Sequence, residues 1–87
     1  MSSETAWKAR LFRTEIPPKD VAANGCTVRL SLAHRRILAA LEAYRAVKLP
    51  GQPQIAALAR VAKADEATIH RALDTLRTHG LMPEGMQ

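Results

Sequence analysis

The side chains that could coordinate a metal ion or act as a nucleophile are few in this sequence of 87 residues. His34, His70 and His79 have no metal-ligand spacing, and Cys26 is the single cysteine. The sequence also has no close carboxylate pair that would assist these histidines, no glycine-rich phosphate loop and no nucleophile motif. We therefore expect no metal, no cofactor and no enzymatic activity, and we interpret Cys26 as a small half-buried thiol.

Basic side chains indicate binding instead. The chain has 13 Lys and Arg residues against 8 Asp and Glu residues, a net charge of +5. Such an excess favours a polyanionic partner, although it serves solubility alone equally well. One basic cluster stands at the start of a long helix, where cations oppose the helix dipole. It is either a phosphate contact or a solvated patch, and it contains Arg29, His34, Arg35 and Arg36.

Three segments with apolar residues at helical spacing must position these side chains. The first runs from residue 32 to about 47 behind a Ser31 cap. The second begins with Pro53 at its first position, where the missing N–H is harmless, and runs to about residue 62. The third covers about residues 66 to 79, with Asp65 as its cap and Gly80 as its end. Its inward positions are Ile69, Ala72, Leu73 and Leu76.

The first 30 residues carry weaker signals. Residues 3 to 14 can form a short helix with Trp7 and Leu11 on one face, and Pro17 and Pro18 prevent its continuation. Asn24 and Gly25 predict a turn, and residues 27 to 30 alternate as in a short strand or an extended lead-in.

Composition limits the class of protein. The chain is 47% hydrophobic, which excludes wholesale disorder, and its length leaves room for one core. It contains neither the roughly 20-residue apolar run of a membrane span nor a signal-peptide block. We expect a cytoplasmic protein with no membrane partner.

Residues 55 to 82, IAALARVAKADEATIHRALDTLRTHGLM, resemble the helix-turn-helix of winged-helix DNA-binding proteins. This family includes transcription and replication regulators of bacteria, phages and plasmids. The resemblance depends on several constrained positions together and extends over residues 31 to 82. Those positions are Leu58-Ala59, Asp65, Thr68-Ile69, Arg71-Ala72-Leu73, Leu76 and Gly80-Leu81.

The resemblance implies a mainly α fold with a three-helix helix-turn-helix at 31–82, an N-terminal extension at 1–30 and a tail at 83–87. Two positions depart from the family pattern. Lys63 stands where a glycine is usual, so either its backbone is strained by about 1 kcal/mol or the turn is built differently. Only five residues follow Met82, which allows a vestigial wing of at most one short strand.

By this resemblance, the helix at 66–79 enters the DNA major groove and its exposed residues contact base edges. Arg71 is the best single candidate, because a guanidinium can hold guanine through two parallel hydrogen bonds. The expected base contacts are Glu66, Ala67, Thr68, His70 and Arg71, and the expected backbone contacts are Gln52, Gln54, Lys63 and Thr75.

Two interpretations of function remain. The first is a sequence-specific DNA-binding regulator of a bacterial, phage or mobile genetic element, acting in transcription regulation or recombination. The second is a protein-binding adaptor or antiactivator that reuses the same fold. It is favoured by the short wing and by acidic residues in the third helix, where Asp74 could also neutralise Arg71 and Arg77 in a solvated face of ion pairs.

A symmetric homodimer is also expected, because one helix of about 14 residues spans only about 20 Å. Two copies would contact half-sites about 34 Å apart in an inverted repeat. The apolar residues left for the interface are Trp7, Leu11 and Phe12, unless they fold back onto their own core.

Overall fold

The computed structural model describes residues 3–49 and 51–83, with side chains from residue 5 onward. This part of the chain is mainly helical, as expected, with one small antiparallel sheet. The elements in chain order are α1 (Ser3–Leu11), β1 (Asp20–Ala23), β2 (Cys26–Arg29), α2 (Leu32–Ala46), α3 (Ile55–Ala62) and α4 (Glu66–Thr78).

Helix α2 is the central element, and it contacts α1, α3 and α4. Ser31 caps it as predicted, because the serine Oγ accepts a hydrogen bond from the backbone N–H of His34. The apolar positions of α2 include Ile37 and Leu41, which are completely buried. The small buried residues of the same helix, Ala39, Ala40 and Ala43, allow the neighbouring helices to approach closely.

Helices α3 and α4 lie close to their predicted bounds. Pro53 precedes α3 instead of starting it, since Gln54 is the N-cap. Lys63 ends α3 in the left-handed conformation, with φ 55° and ψ 47°, so the strained form of the turn is the correct one. Asp65 caps α4 by accepting the Thr68 N–H at 3.0 Å. Gly80 follows α4 with φ +68°, as a helix-ending glycine should.

A β-hairpin precedes α2, and only its second strand was expected. Asn24 and Gly25 have φ values of 53° and 79°, as a tight type I′ turn requires. This turn pairs β1 with β2 in the register Val21 to Val28. The first strand was missed because its sequence, DVAA, has a single β-branched residue and so carries little strand propensity.

One hydrophobic core joins the N-terminal residues to the three helices. Its buried members come from all four helices and from Leu30 and Met82 outside them, and they include Trp7, Ile37, Leu58, Ile69 and Leu76. Helix α1 packs on α2, where Trp7 makes an edge-to-face contact with Tyr44 at a centroid distance of 5.9 Å. The helix ends at Leu11, three residues before the predicted end.

The hairpin turn lies at the C-terminal end of α4. A Cβ atom at Gly80 would stand 3.3 Å from Oδ1 of Asn24. Residues 81–83 continue without a strand, and the rest of the expected vestigial wing lies outside the described residues. In the part of the chain that the structure describes, no helix is long and apolar enough to cross a membrane.

Candidate nucleic-acid interface

Helix α4 has one buried face and one exposed face. Ile69, Ala72, Leu73 and Leu76 are buried, as predicted. Of the expected base contacts, Glu66, Ala67, His70 and Arg71 are exposed, and Thr68 is half-buried. The four exposed side chains lie on the first two turns of α4, so the structure brings them together on one surface.

Arg71 is available for contact with another molecule. The acidic residue three positions on, Asp74, pairs with Arg77 through Nη1 and Oδ1 at 3.6 Å. Among the described residues, Arg71 itself forms no salt bridge. Of the two ion pairs that the spacing allowed on this face, only the one with Arg77 forms, so the Arg71 guanidinium is exposed to an external acceptor.

A shallow concavity of about 370 Å³ lies beside Arg71 toward the end of α4. Thr75 lines it, but the Thr75 hydroxyl donates to the backbone oxygen of Arg71 at 3.0 Å. A hydroxyl has one hydrogen to donate, so Thr75 in this rotamer cannot donate to a phosphate. The structure therefore weakens the case for Thr75 as a backbone contact.

The N-terminal end of α4 is acidic. Hydrogen bonds from the Thr68 side chain and backbone lower the pKa of Asp65, and the nearby charge of Arg71 adds to the effect. Asp65 is therefore ionised at neutral pH, and the exposed Glu66 follows it. Carboxylates repel phosphates but can accept a hydrogen bond from cytosine N4. This end of α4 suits a base edge better than a phosphate.

Donors for phosphates lie on the elements beside α4. Gln52 and Gln54 are exposed, and Gln54 makes no side-chain hydrogen bond as the N-cap of α3. Lys63 is exposed in the turn between α3 and α4. These three side chains therefore remain candidates for the DNA backbone. Arg60, which was not among the expected contacts, is exposed on α3 as well.

The basic cluster at the start of α2 is partly neutralised. Arg29 lies 3.8 Å from Asp20, and both side chains are well exposed. Burial lowers the pKa of His34, whose ring also pairs with the Ser31 hydroxyl. The Nε atom of Arg35 is buried and has no hydrogen-bond partner in the described structure. Arg35 and Arg36 form no salt bridge among the described residues, and Arg36 lines a concavity with Leu11 and Phe12.

The three apolar residues expected at a dimer interface differ in how far they are buried. Trp7 is 1% exposed, so for this side chain the alternative of folding onto its own core is the correct one. Leu11 is half-buried against the same core. Phe12 is 92% exposed and stays on the surface.

Two further expectations concern reactive side chains. Cys26 is exposed in β2, so the expectation of a half-buried thiol was wrong. The hairpin, which was not anticipated as a whole, is what carries this residue to the surface. No group of three His, Cys, Asp or Glu side chains in the described residues could hold a metal ion.

Comparison of the chain with protein-family models, with curated proteins and with solved structures finds no match.

Proposed function

We propose that this chain binds duplex DNA by placing the exposed face of α4 in the major groove. The observation that supports this most is the state of Arg71, an exposed guanidinium with no salt bridge among the described residues. It stands on the second turn of α4, beside His70 and opposite the buried Ile69 and Leu73. A bidentate contact with guanine needs a free guanidinium on a rigid element.

The dimensions of α4 suit this role. Its 13 residues span about 20 Å, and the major groove is about 12 Å wide and admits one helix. With the first turns of α4 against the bases, Gln54 and Lys63, at the two ends of α3, would be the contacts with phosphates. The protein would act as a regulator by occupying a specific site.

The acidic residues of α4 affect how the binding free energy is divided between phosphate contacts and base contacts. Glu66 and Asp74 are exposed on the helix, so non-specific attraction to phosphates is weak there. Specificity should then depend on a few base contacts, with Arg71 foremost.

The test starts from a pool of random-sequence duplexes, from which bound sequences are selected and then measured individually. Arg71→Ala should weaken binding to the selected duplex by about 1–3 kcal/mol without changing the far-UV circular dichroism. Arg77→Ala is the matched control, because Arg77 is already paired with Asp74. Absence of any binding at about 50 mM salt and micromolar protein would contradict the proposal.

A protein-binding adaptor is the second candidate function, and the exposed Phe12 favours it. The same selection separates the two functions, because an adaptor enriches no duplex sequence.

A homodimer remains a prediction, testable by sedimentation with and without the selected duplex. Deleting the first 15 residues would be a poor test of whether the N-terminal segment forms the dimer interface, because the deletion also removes Trp7 from the core. Phe12→Ala is the better variant, because it changes an exposed side chain of that segment and leaves the core intact.

A further inference from the structure

Two separate concavities lie on the side of α2 where α1 and α3 both pack, and we call the surface that carries them both the groove. One end of the groove is a concavity of about 270 Å³ lined by Leu11, Phe12, Thr14, Ile16, Arg36, Ala39 and Val61. The other end is a concavity of about 200 Å³, where Trp7, Tyr44 and Ala57 meet the loop before α3.

The rim of the groove exposes large apolar side chains. Phe12 is 92% exposed and Ile16 is 48% exposed, and both line the first concavity. Leu32, which does not line it, is the other exposed large hydrophobic residue among those described. A partner that covered Phe12 and Ile16 would remove the exposed apolar surface at the rim of the groove from water, and this burial favours association.

The spacing of the two concavities suits a helical partner. On α2 the first concavity is lined by Arg36 and Ala39 and the second by Tyr44. Five to eight residues of helix separate these positions, about 8–12 Å along the axis. Two side chains seven residues apart on a docked helix are also about 10 Å apart and share one face. Small-molecule pockets have volumes of roughly 300 Å³ or more, and each concavity is smaller than that. This size suits a concavity that accepts one side chain of a partner.

The charges around the groove are mainly positive. Arg36 lines it, and Arg13 is exposed directly after Phe12. Arg60 is exposed on α3 three residues after Ala57, which places the two side chains close together on the helix surface. Glu15 is the exposed acid near this end, while Glu42 of α2 is paired with Arg45 at 3.2 Å. A partner that covers this groove gains from acidic side chains around its apolar face.

We propose that the groove between α1 and α3 docks an acidic amphipathic helix of another protein. The partner inserts two bulky apolar side chains, seven residues apart, into the two concavities, and its carboxylates face Arg13, Arg36 and Arg60. A second copy of this chain fits less well, because a two-fold axis at the groove would bring the same arginines together. DNA fits less well too, because it offers no apolar face to Phe12. The proposal does not depend on DNA binding by α4.

The probe is a labelled synthetic helical peptide with Leu and Phe seven residues apart and glutamates on its other faces. A second peptide carries lysines in place of the glutamates. We expect the acidic peptide to bind at micromolar concentrations, with amide NMR shifts confined to the groove, and the lysine peptide to bind at least about tenfold more weakly. Phe12→Ser and Arg36→Gln should each weaken binding of the acidic peptide by about tenfold, while Arg77→Gln on α4 should leave it unchanged.

Phe12 and Arg36 are not core residues, so both variants should keep the wild-type circular dichroism. The proposal is overturned if the acidic peptide does not bind, if the two peptides bind equally, or if the shifts lie elsewhere. Sedimentation of the free protein gives one more decisive result. A dimer that dissociates in Phe12→Ser would assign the groove to a second copy of the chain instead.

Discussion

We expect truncation of Trp7 and truncation of Phe12 to affect stability very differently, although the two residues stand five positions apart in one N-terminal segment. Trp7 is 1% exposed and packs edge-to-face against Tyr44, whereas Phe12 is 92% exposed. If α1 is an integral part of the core, Trp7→Ala destabilises the protein strongly and Phe12→Ala does not. If the segment is instead an undocked arm, the two variants behave alike.

The expected difference follows from burial. Truncating a buried Phe or Trp to alanine costs about 3–5 kcal/mol, because transfer energy is lost and a cavity remains. A surface substitution usually changes stability by less than about 0.5 kcal/mol. A chain of 87 residues has a total stability of about 4–13 kcal/mol. Trp7→Ala should therefore remove about a quarter or more of the total stability.

Urea denaturation followed by far-UV circular dichroism measures both variants. Fluorescence is unsuitable, because Trp7 is the single tryptophan. We expect the midpoint to fall sharply for Trp7→Ala and hardly at all for Phe12→Ala, with similar m-values. A cost below about 1 kcal/mol for Trp7→Ala, or equal costs for both variants, would refute the packing of α1 described above.

Three further predictions concern the ends of the helices. Lys63→Gly should stabilise the fold by about 1 kcal/mol, because glycine adopts φ 55° without strain. Lys63→Ala should not stabilise it, and thermal melts of the two variants measure the difference. Gly80→Ala should destabilise it by about 1–2 kcal/mol, since the residue has φ +68° and its new Cβ would press on Asn24, and an unchanged melting temperature would contradict this. The cap from Asp65 has a lowered pKa, so its contribution to stability is present above the ordinary value of 3.8 and is lost as the pH falls below it. Melts across this range should show a steeper loss for the wild type than for Asp65→Asn, which keeps a capping oxygen that does not titrate.

The sequence was sufficient to predict features that depend on neighbours along the chain. Helical spacing located α2, α3 and α4 and showed which face of α4 is buried, because a 3.6-residue period is a local property. Asp65 and Gly80 were recognisable as the ends of α4, since a capping carboxylate and a left-handed glycine act within one turn.

Features that depend on distant residues were decided by the tertiary structure. The strand β1 was invisible alone, because a short strand is stabilised by its partner more than by its own residues. Trp7 and Phe12 are both large aromatic residues, and only the docking of α1 on α2 buries the first and leaves the second at the rim of a groove. Burial of such residues depends on contacts between segments far apart in sequence, which local spacing cannot encode.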